Sequence, residues 1–111
     1  MIKVLINGCN GRMGQVLVKE IDNFENLLLV GGFDINDNGL NTFPVYSNIS
    51  DIKEKPDVIV DFSVPVASLN MLNYAVSSKT AMVIATTGFS KEELEIISEA
   101  SKTIPIFKSS N

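Results

Sequence analysis

The chain reads as an α/β protein: a doubly wound parallel sheet with helices on both faces. Three features predict it. Short aliphatic and β-branched runs alternate with segments of helical period along the 111 residues, the pattern that repeated strand–helix–strand units leave. The runs stay apolar without a polar residue at every second position, as strands covered on both faces do. A glycine-rich loop joins the first run to the first helical segment, where a tight strand-to-helix turn needs residues without a Cβ.

Each element has its own signal. Ile2–Asn7 is the first strand. Residues 12–23 set Met13, Val16, Leu17 and Ile21 at three- and four-residue spacing, so one helix face meets the sheet while Lys19, Glu20 and Asp22 meet water. Leu27–Phe33 is the second strand, residues 36–41 (Asn-Asp-Asn-Gly-Leu-Asn) form a turn-rich loop, and residues 44–47 form a weak strand. Residues 57–62 are the next strong strand. Ser63 then reads as a helix cap with Pro65 in the first turn, opening a helix that carries Leu69, Leu72 and Val76 to about Ser78. Residues 81–85 form a strand, Ser90 and Glu93 form a capping box for a helix holding Leu94 and Ile97 that closes near Lys102, and residues 104–108 form the last strand. Five strands are strong and the one at 44–47 is weak. At this length a single domain over residues 1–111 is expected, with no internal repeat.

Composition narrows the chemistry. With 45% hydrophobic and 20% charged residues the chain has enough apolar surface to fold. A net charge of −4 lacks the basic stripe that displaces counterions from nucleic acid, and it disfavours an anionic membrane surface. No apolar run reaches the roughly 18 residues of a spanning helix, and the chain begins with a strand instead of a secretory leader, so a cytoplasmic location is expected. A single cysteine, Cys9, rules out an internal disulfide or a multi-cysteine metal cluster. The absence of histidine removes the commonest metal ligand and the commonest general acid or base, so neither a metal site nor a catalytic residue is assigned.

Gly8-Cys9-Asn10-Gly11-Arg12-Met13-Gly14 lies between the first strand and the first helix, the place where a dinucleotide's pyrophosphate is held. One glycine permits the turn, a second lets backbone approach phosphate, and a third lets helix and strand pack closely. Free N–H groups and the helix dipole then face the anion. The spacing is G-x-x-G-x-x-G, with Asn10 standing where glycine often stands and tolerating a positive φ better than most residues. Asp34 follows Gly14 by 20 residues at the end of the second strand, where its carboxylate can accept from the ribose hydroxyls. That charge would repel a 2′-phosphate, and the next residue is Ile35, with no Lys or Arg between Lys19 and Lys53. NADH is therefore the expected cofactor, with NADPH left open. A turn-capping role for Asp34 and a packing role for the glycines are the alternatives.

The glycine loop, Val60-Asp61-Phe62-Ser63 and Ala85-Thr86-Thr87-Gly88-Phe89 together resemble the signatures of bacterial 4-hydroxy-tetrahydrodipicolinate reductase (dihydrodipicolinate reductase). The resemblance covers the whole chain but only the amino-terminal half of the family's usual length. It implies a Rossmann-type nucleotide-binding domain of a reductase that acts on a cyclic precursor of the diaminopimelate route to lysine. It also implies roles for residues. The loop from Gly8 to Gly14, with Asn10, Gly11, Arg12 and Met13, would meet the pyrophosphate, and Asp34 the adenosine ribose. Phe62 and Ser63 would border the nicotinamide half, Ala85, Thr86, Thr87 and Gly88 would contact the nicotinamide, and Ser109, Ser110 and Asn111 would pass beneath it. Ala85 and Val64 depart from the pattern, since the family often has glycine and arginine there. The family's paired histidines and lysine find no counterpart in these residues, so the chain alone is expected to be inactive and to meet substrate only beside a second domain. The full-length protein is expected to be a homotetramer. A nucleotide-sensing module and another dehydrogenase on the same fold are the rival functions.

Overall fold

A computed structural model describes residues 1–36, 39 and 41–109. In order they form β1 (Ile2–Asn7), α1 (Arg12–Ile21), β2 (Leu27–Phe33), β3 (Val45–Tyr46), a one-turn 3-10 helix (Ile49–Asp51), β4 (Val58–Asp61), α2 (Pro65–Ser78), β5 (Ala81–Ile84), α3 (Lys91–Ala100) and β6 (Ile106–Lys108). The six strands lie in the order β3-β2-β1-β4-β5-β6, every neighbouring pair parallel. The chain winds outward from β1 through β2 to β3, returns to β4 on the other side of β1, and winds outward again. The connections above β1 and β4 thus leave in opposite directions, which opens a crevice at the carboxyl ends of these two strands. Asn7 and Asp61 are paired there.

Helices cover both faces, but unevenly. On one face Val4, Ile6, Cys9 and Ile21 form a buried cluster with Leu17, Val18, Leu27 and Leu29 packed against it. On the other, Leu5, Ile59, Met71, Leu72, Met82, Ile84 and Ile97 form the larger cluster beneath α2 and α3. The α1 face of β5 and β6 is less covered. Burial alternates along β4 and β5 despite their unbroken apolar sequence, and Phe107 is 70% exposed.

Several expectations need correction. The stripe of α1 that reaches the sheet is Gly14, Leu17, Val18 and Ile21, while Met13 and Val16 are 49% and 47% exposed. Helix and strand cross most closely at Gly14, so the buried stripe is centred there. The cap residue of α2 is Val64 and makes no side-chain cap bond, because the Ser63 hydroxyl is committed to Asp61 instead. Pro65 does open the helix, and the Ser90–Glu93 capping box is complete on α3. β6 starts at Ile106, since the Ile104 N–H still belongs to the end of α3, donating to the Ala100 carbonyl at 3.2 Å. The loop read at 36–41 falls partly on residues 37, 38 and 40, outside the described residues.

Candidate functional site

The loop after β1 is shaped by two glycines that admit no side chain. Gly8 has φ +86°, and a Cβ on it would drive into the carbonyl oxygen of Phe62. A Cβ on Gly14 would drive into the Gly8 carbonyl oxygen and crowd the Cys9 backbone. Both are dictated by the fold itself. Gly11 differs: its φ is −73°, and a Cβ there would meet only the Gly8 carbonyl, at 3.4 Å. The space over Gly11 is open.

No side chain caps the start of α1, and its hydrogen bonding begins with Gln15 N–H donating to the Gly11 carbonyl at 3.0 Å. The N–H groups of Arg12, Met13 and Gly14 occupy the first turn, where an α-helix leaves its amides without backbone acceptors. α3 meets the same demand with its own Ser90 and Glu93. The loop amides before Gly11 are spent internally: Gly8 N–H donates to Phe33 O at 2.7 Å and Asn10 N–H to Asp34 Oδ2 at 3.0 Å. Any anion at this end must therefore address the first turn of the helix.

A cleft of about 540 Å³ opens above it. Asn7, Gly8 and Gly11 form its floor, Asp34, Ile35 and Asn36 one wall, and Phe62, Ser63, Val64, Val66 and Asn70 the opposite wall. Asp34 lies on the wall of this cleft, and it also works within the protein. Its Oδ1 accepts from Asn36 N–H at 3.0 Å while its Oδ2 holds Asn10. Both the turn-capping role and an outward-facing role fit one carboxylate, because each oxygen keeps a second lone pair. Asn10 has no positive φ, so its tolerance of one is not called upon. Its side chain earns the position instead, with Nδ2 donating to Asn36 O and Oδ1 accepting from Asn41 Nδ2.

Beneath the cleft lies a polar node that sequence reading missed. Asn7, Asp61, Ser68 and Thr86 are all at least 96% buried. Asp61 Oδ1 accepts from Asn7 Nδ2 at 3.0 Å and from the Ser63 hydroxyl at 2.6 Å, and Oδ2 accepts from the Ser68 hydroxyl. Ser63 N–H donates to Thr86 Oγ1 at 2.8 Å. Burial pushes the Asp61 carboxyl above its ordinary 3.8, and hydrogen bonds from Ser63, Ser68, Thr86 and Asn7 oppose the rise only in part. The available signal was two polar residues, Asn7 and Asp61, closing the apolar runs of residues 4–6 and 58–60.

Residues 2–111 match the family described as dihydrodipicolinate reductase, N-terminus. The chain belongs to this family. The 4-hydroxy-tetrahydrodipicolinate reductase of Caldanaerobacter subterraneus subsp. tengcongensis is 49% identical over 114 residues, covering 100% of this chain and 44% of that protein. The protein of the same name from Clostridium tetani is 40% identical over 111 residues with the same coverage. Among solved structures, a dipicolinate-bound dihydrodipicolinate reductase from Paenisporosarcina sp. TG-14 superposes with a TM-score of 0.85 at 28% identity, over 100% of this chain and 48% of that one. The chain spans less than half the length of these relatives. Fold class and family agree with the expectations drawn from the glycine loop and the two later signatures.

The family's signature residues divide between two hollows. Gly8, Gly11, Asp34, Phe62 and Ser63 line the large cleft, while Thr86, Thr87, Gly88 and Ser109 line a smaller one of about 130 Å³ with Phe89, Leu94 and Lys108. Asn10, Arg12, Met13, Gly14 and Ala85 line neither. Ser110 and Asn111 lie outside the described residues. The Thr86 side chain is turned inward to Ser63, which joins the two hollows by one hydrogen bond. Ile35, Val64 and Val66, exposed apolar residues flanking the large cleft, were not assigned to the site beforehand. Their exposure beside a polar floor is visible only once the chain is folded.

Proposed function

We propose that this chain is the nicotinamide-dinucleotide-binding half of a 4-hydroxy-tetrahydrodipicolinate reductase, cytoplasmic and acting in lysine biosynthesis, with NADH as its preferred cofactor. The observation that carries the reading is the uncapped first turn of α1 opening, past an unobstructed Gly11, into a cleft at the switch point of the sheet. Dinucleotide phosphates fit this arrangement: the amides of Arg12, Met13 and Gly14 would receive them, and Asp34 would accept from the adenosine ribose. Phe62, Ser63 and the Ala85, Thr86, Thr87 and Gly88 segment would border the nicotinamide, with Ser109, Ser110 and Asn111 below. When bound, the nicotinamide supplies the hydride. These residues bind and orient; none has the chemistry to deliver a proton to a reduced product at neutral pH. Reduction of a pyridine-dicarboxylate-like substrate, and assembly into a homotetramer, would rest on the part of the relatives' length that this chain does not span.

Gly11 supplies the test, because its side of the loop is free of protein contacts that a larger residue would break. Calorimetric titration with NADH should show Gly11→Val weakening binding at least about tenfold, or some 1.4 kcal/mol, with the thermal midpoint little changed. Equal affinity in the two proteins would remove the phosphates from this loop and with them the proposed function.

A further inference from the structure

The carboxylate of Asp61 touches no cleft, yet its partners sit on β1, α2 and the loops after β4 and β5, which help to frame both hollows. Asn7 ends β1 and lines the large cleft; Ser63 follows β4 and lines it from the other side; Ser68 belongs to the first turns of α2. Through the Ser63 amide the same cluster grips Thr86 in the loop after β5, on the wall of the smaller hollow. We infer that Asp61 is a positioning residue that locks Ser63 and Thr86 in register, so that the two hollows act as one continuous cradle for the far half of a bound dinucleotide. The inference rests on the dinucleotide reading given above and assigns a residue that touches no ligand.

The chemistry of the acceptors explains why a carboxylate is needed. Asn7 Nδ2 carries only donors on that side, and it is fixed by further bonds to Ser63 Oγ at 3.4 Å and to the Ala67 carbonyl at 3.3 Å. Both serine hydroxyls spend their single proton on Asp61 as well. With the Thr86 hydroxyl, four donors converge on two oxygens, which an ionised carboxylate accommodates with its four lone-pair sites and a charge-assisted gain. A carboxamide offers one oxygen and two N–H donors. With Asn7 holding that oxygen, at least one serine must turn its proton elsewhere. Ser63 shares the Asn7 side and keeps that oxygen, whereas Ser68 then faces an N–H and turns to the Ser63 Oγ 3.2 Å away. The Thr86 hydroxyl loses its charged acceptor too, and with it the orientation in which its Oγ1 receives the Ser63 N–H at 2.8 Å. The lesion spreads from β4 toward β5, away from the Asp34 wall.

Titrations of the full protein carrying this chain with NADH and with ADP-ribose separate that effect from general damage. Asp61→Asn should weaken NADH about tenfold while leaving ADP-ribose within about twofold, since a lost charged hydrogen bond in a buried site is an effect of this order. A role confined to stability would lower the thermal midpoint and leave both affinities alone, or lower both together; either result overturns the inference. Should Asp61→Asn fail to fold, Ser68→Ala decides. It removes one donor from the same carboxylate without approaching a ligand, and it should shift the NADH to ADP-ribose ratio the same way by about threefold; an unchanged ratio overturns the inference. Wild-type protein that binds neither probe would sink the dinucleotide reading itself, a different outcome from wild-type binding with an unaltered ratio in the variants.

Discussion

Asp34 shows how one side chain can serve two demands that a sequence reader treats as rivals. Its carboxylate ties Asn10 and Asn36 together across the mouth of the cleft, and under the proposed dinucleotide reading the same negative charge would face a 2′-phosphate. At partly screened distances that repulsion is about 1–2 kcal/mol, so NADH should bind roughly tenfold more tightly than NADPH. Ile35→Arg is the cleaner reversal. Ile35 is 80% exposed and lines the cleft, so a guanidinium there can pair with the phosphate bidentately while Asp34 keeps its two backbone partners. Adding Asp34→Ser should raise the NADPH to NADH ratio further but weaken both, because two amides lose their acceptor. Wild-type protein that prefers NADPH at physiological salt would show that Asp34 does not govern the choice. Of these residues, Asp34 was legible from its spacing to Gly14. The pair of hydrogen bonds it accepts was not, since Asn10 and Asn36 meet only after the chain has wound through α1 and β2.

At the scale of elements, legibility followed how local the cause was. The capping box of α3 and the proline of α2 are written within four residues, and both were read correctly. The cap expected of Ser63 failed because its competitor, Asp61, is buried by strands distant in sequence. The end of α2 carries no glycine, although its geometry asks for one. Lys79 sits in the left-handed region at φ 57°, ψ 51°, its N–H reaching back to Ala75 and Val76 and the Thr80 N–H bonding Ala75 O at 2.8 Å. That arrangement is the helix-terminating motif in which glycine is normally found. The Cβ of Lys79 carries strain of about 1 kcal/mol. Lys79→Gly should therefore raise stability by up to about 0.5 kcal/mol, the relieved strain less glycine's larger unfolded-state entropy. Urea unfolding measures it, and a clear loss of stability would mean that the lysine stem contributes more packing than its exposed position suggests.

For the molecule as a whole, the buried Asp61 couples folding to pH. Its carboxyl is held above 3.8 by burial, so between that value and its folded-state pKa the native protein binds a proton that the unfolded chain releases. Stability contributed by this group is greatest at or below pH 3.8 and declines as pH rises through the window, then stays level. Comparing wild type with Asp61→Asn cancels the other carboxylates: the wild-type stability minus that of the variant should fall with rising pH across the acid range. A difference that grows instead would mean that the hydrogen bonds outweigh burial.

The register slip in the sheet has a consequence of another kind. β1 pairs Val4 with Leu29 and then Leu5 with Gly31, passing over Val30, while β3 pairs only with Gly32 and Phe33. Among the described residues the segment Leu27-Leu28-Leu29-Val30 therefore pairs on one side only, and Leu28 is 43% exposed. An apolar run of this composition with a free row of backbone groups is what a strand from another molecule would seek as a template for fibril growth. The bulge at Val30 bends that row and breaks its hydrogen-bond spacing after three residues. An incoming straight strand cannot extend along it. The irregularity makes this border a poor template for a straight strand.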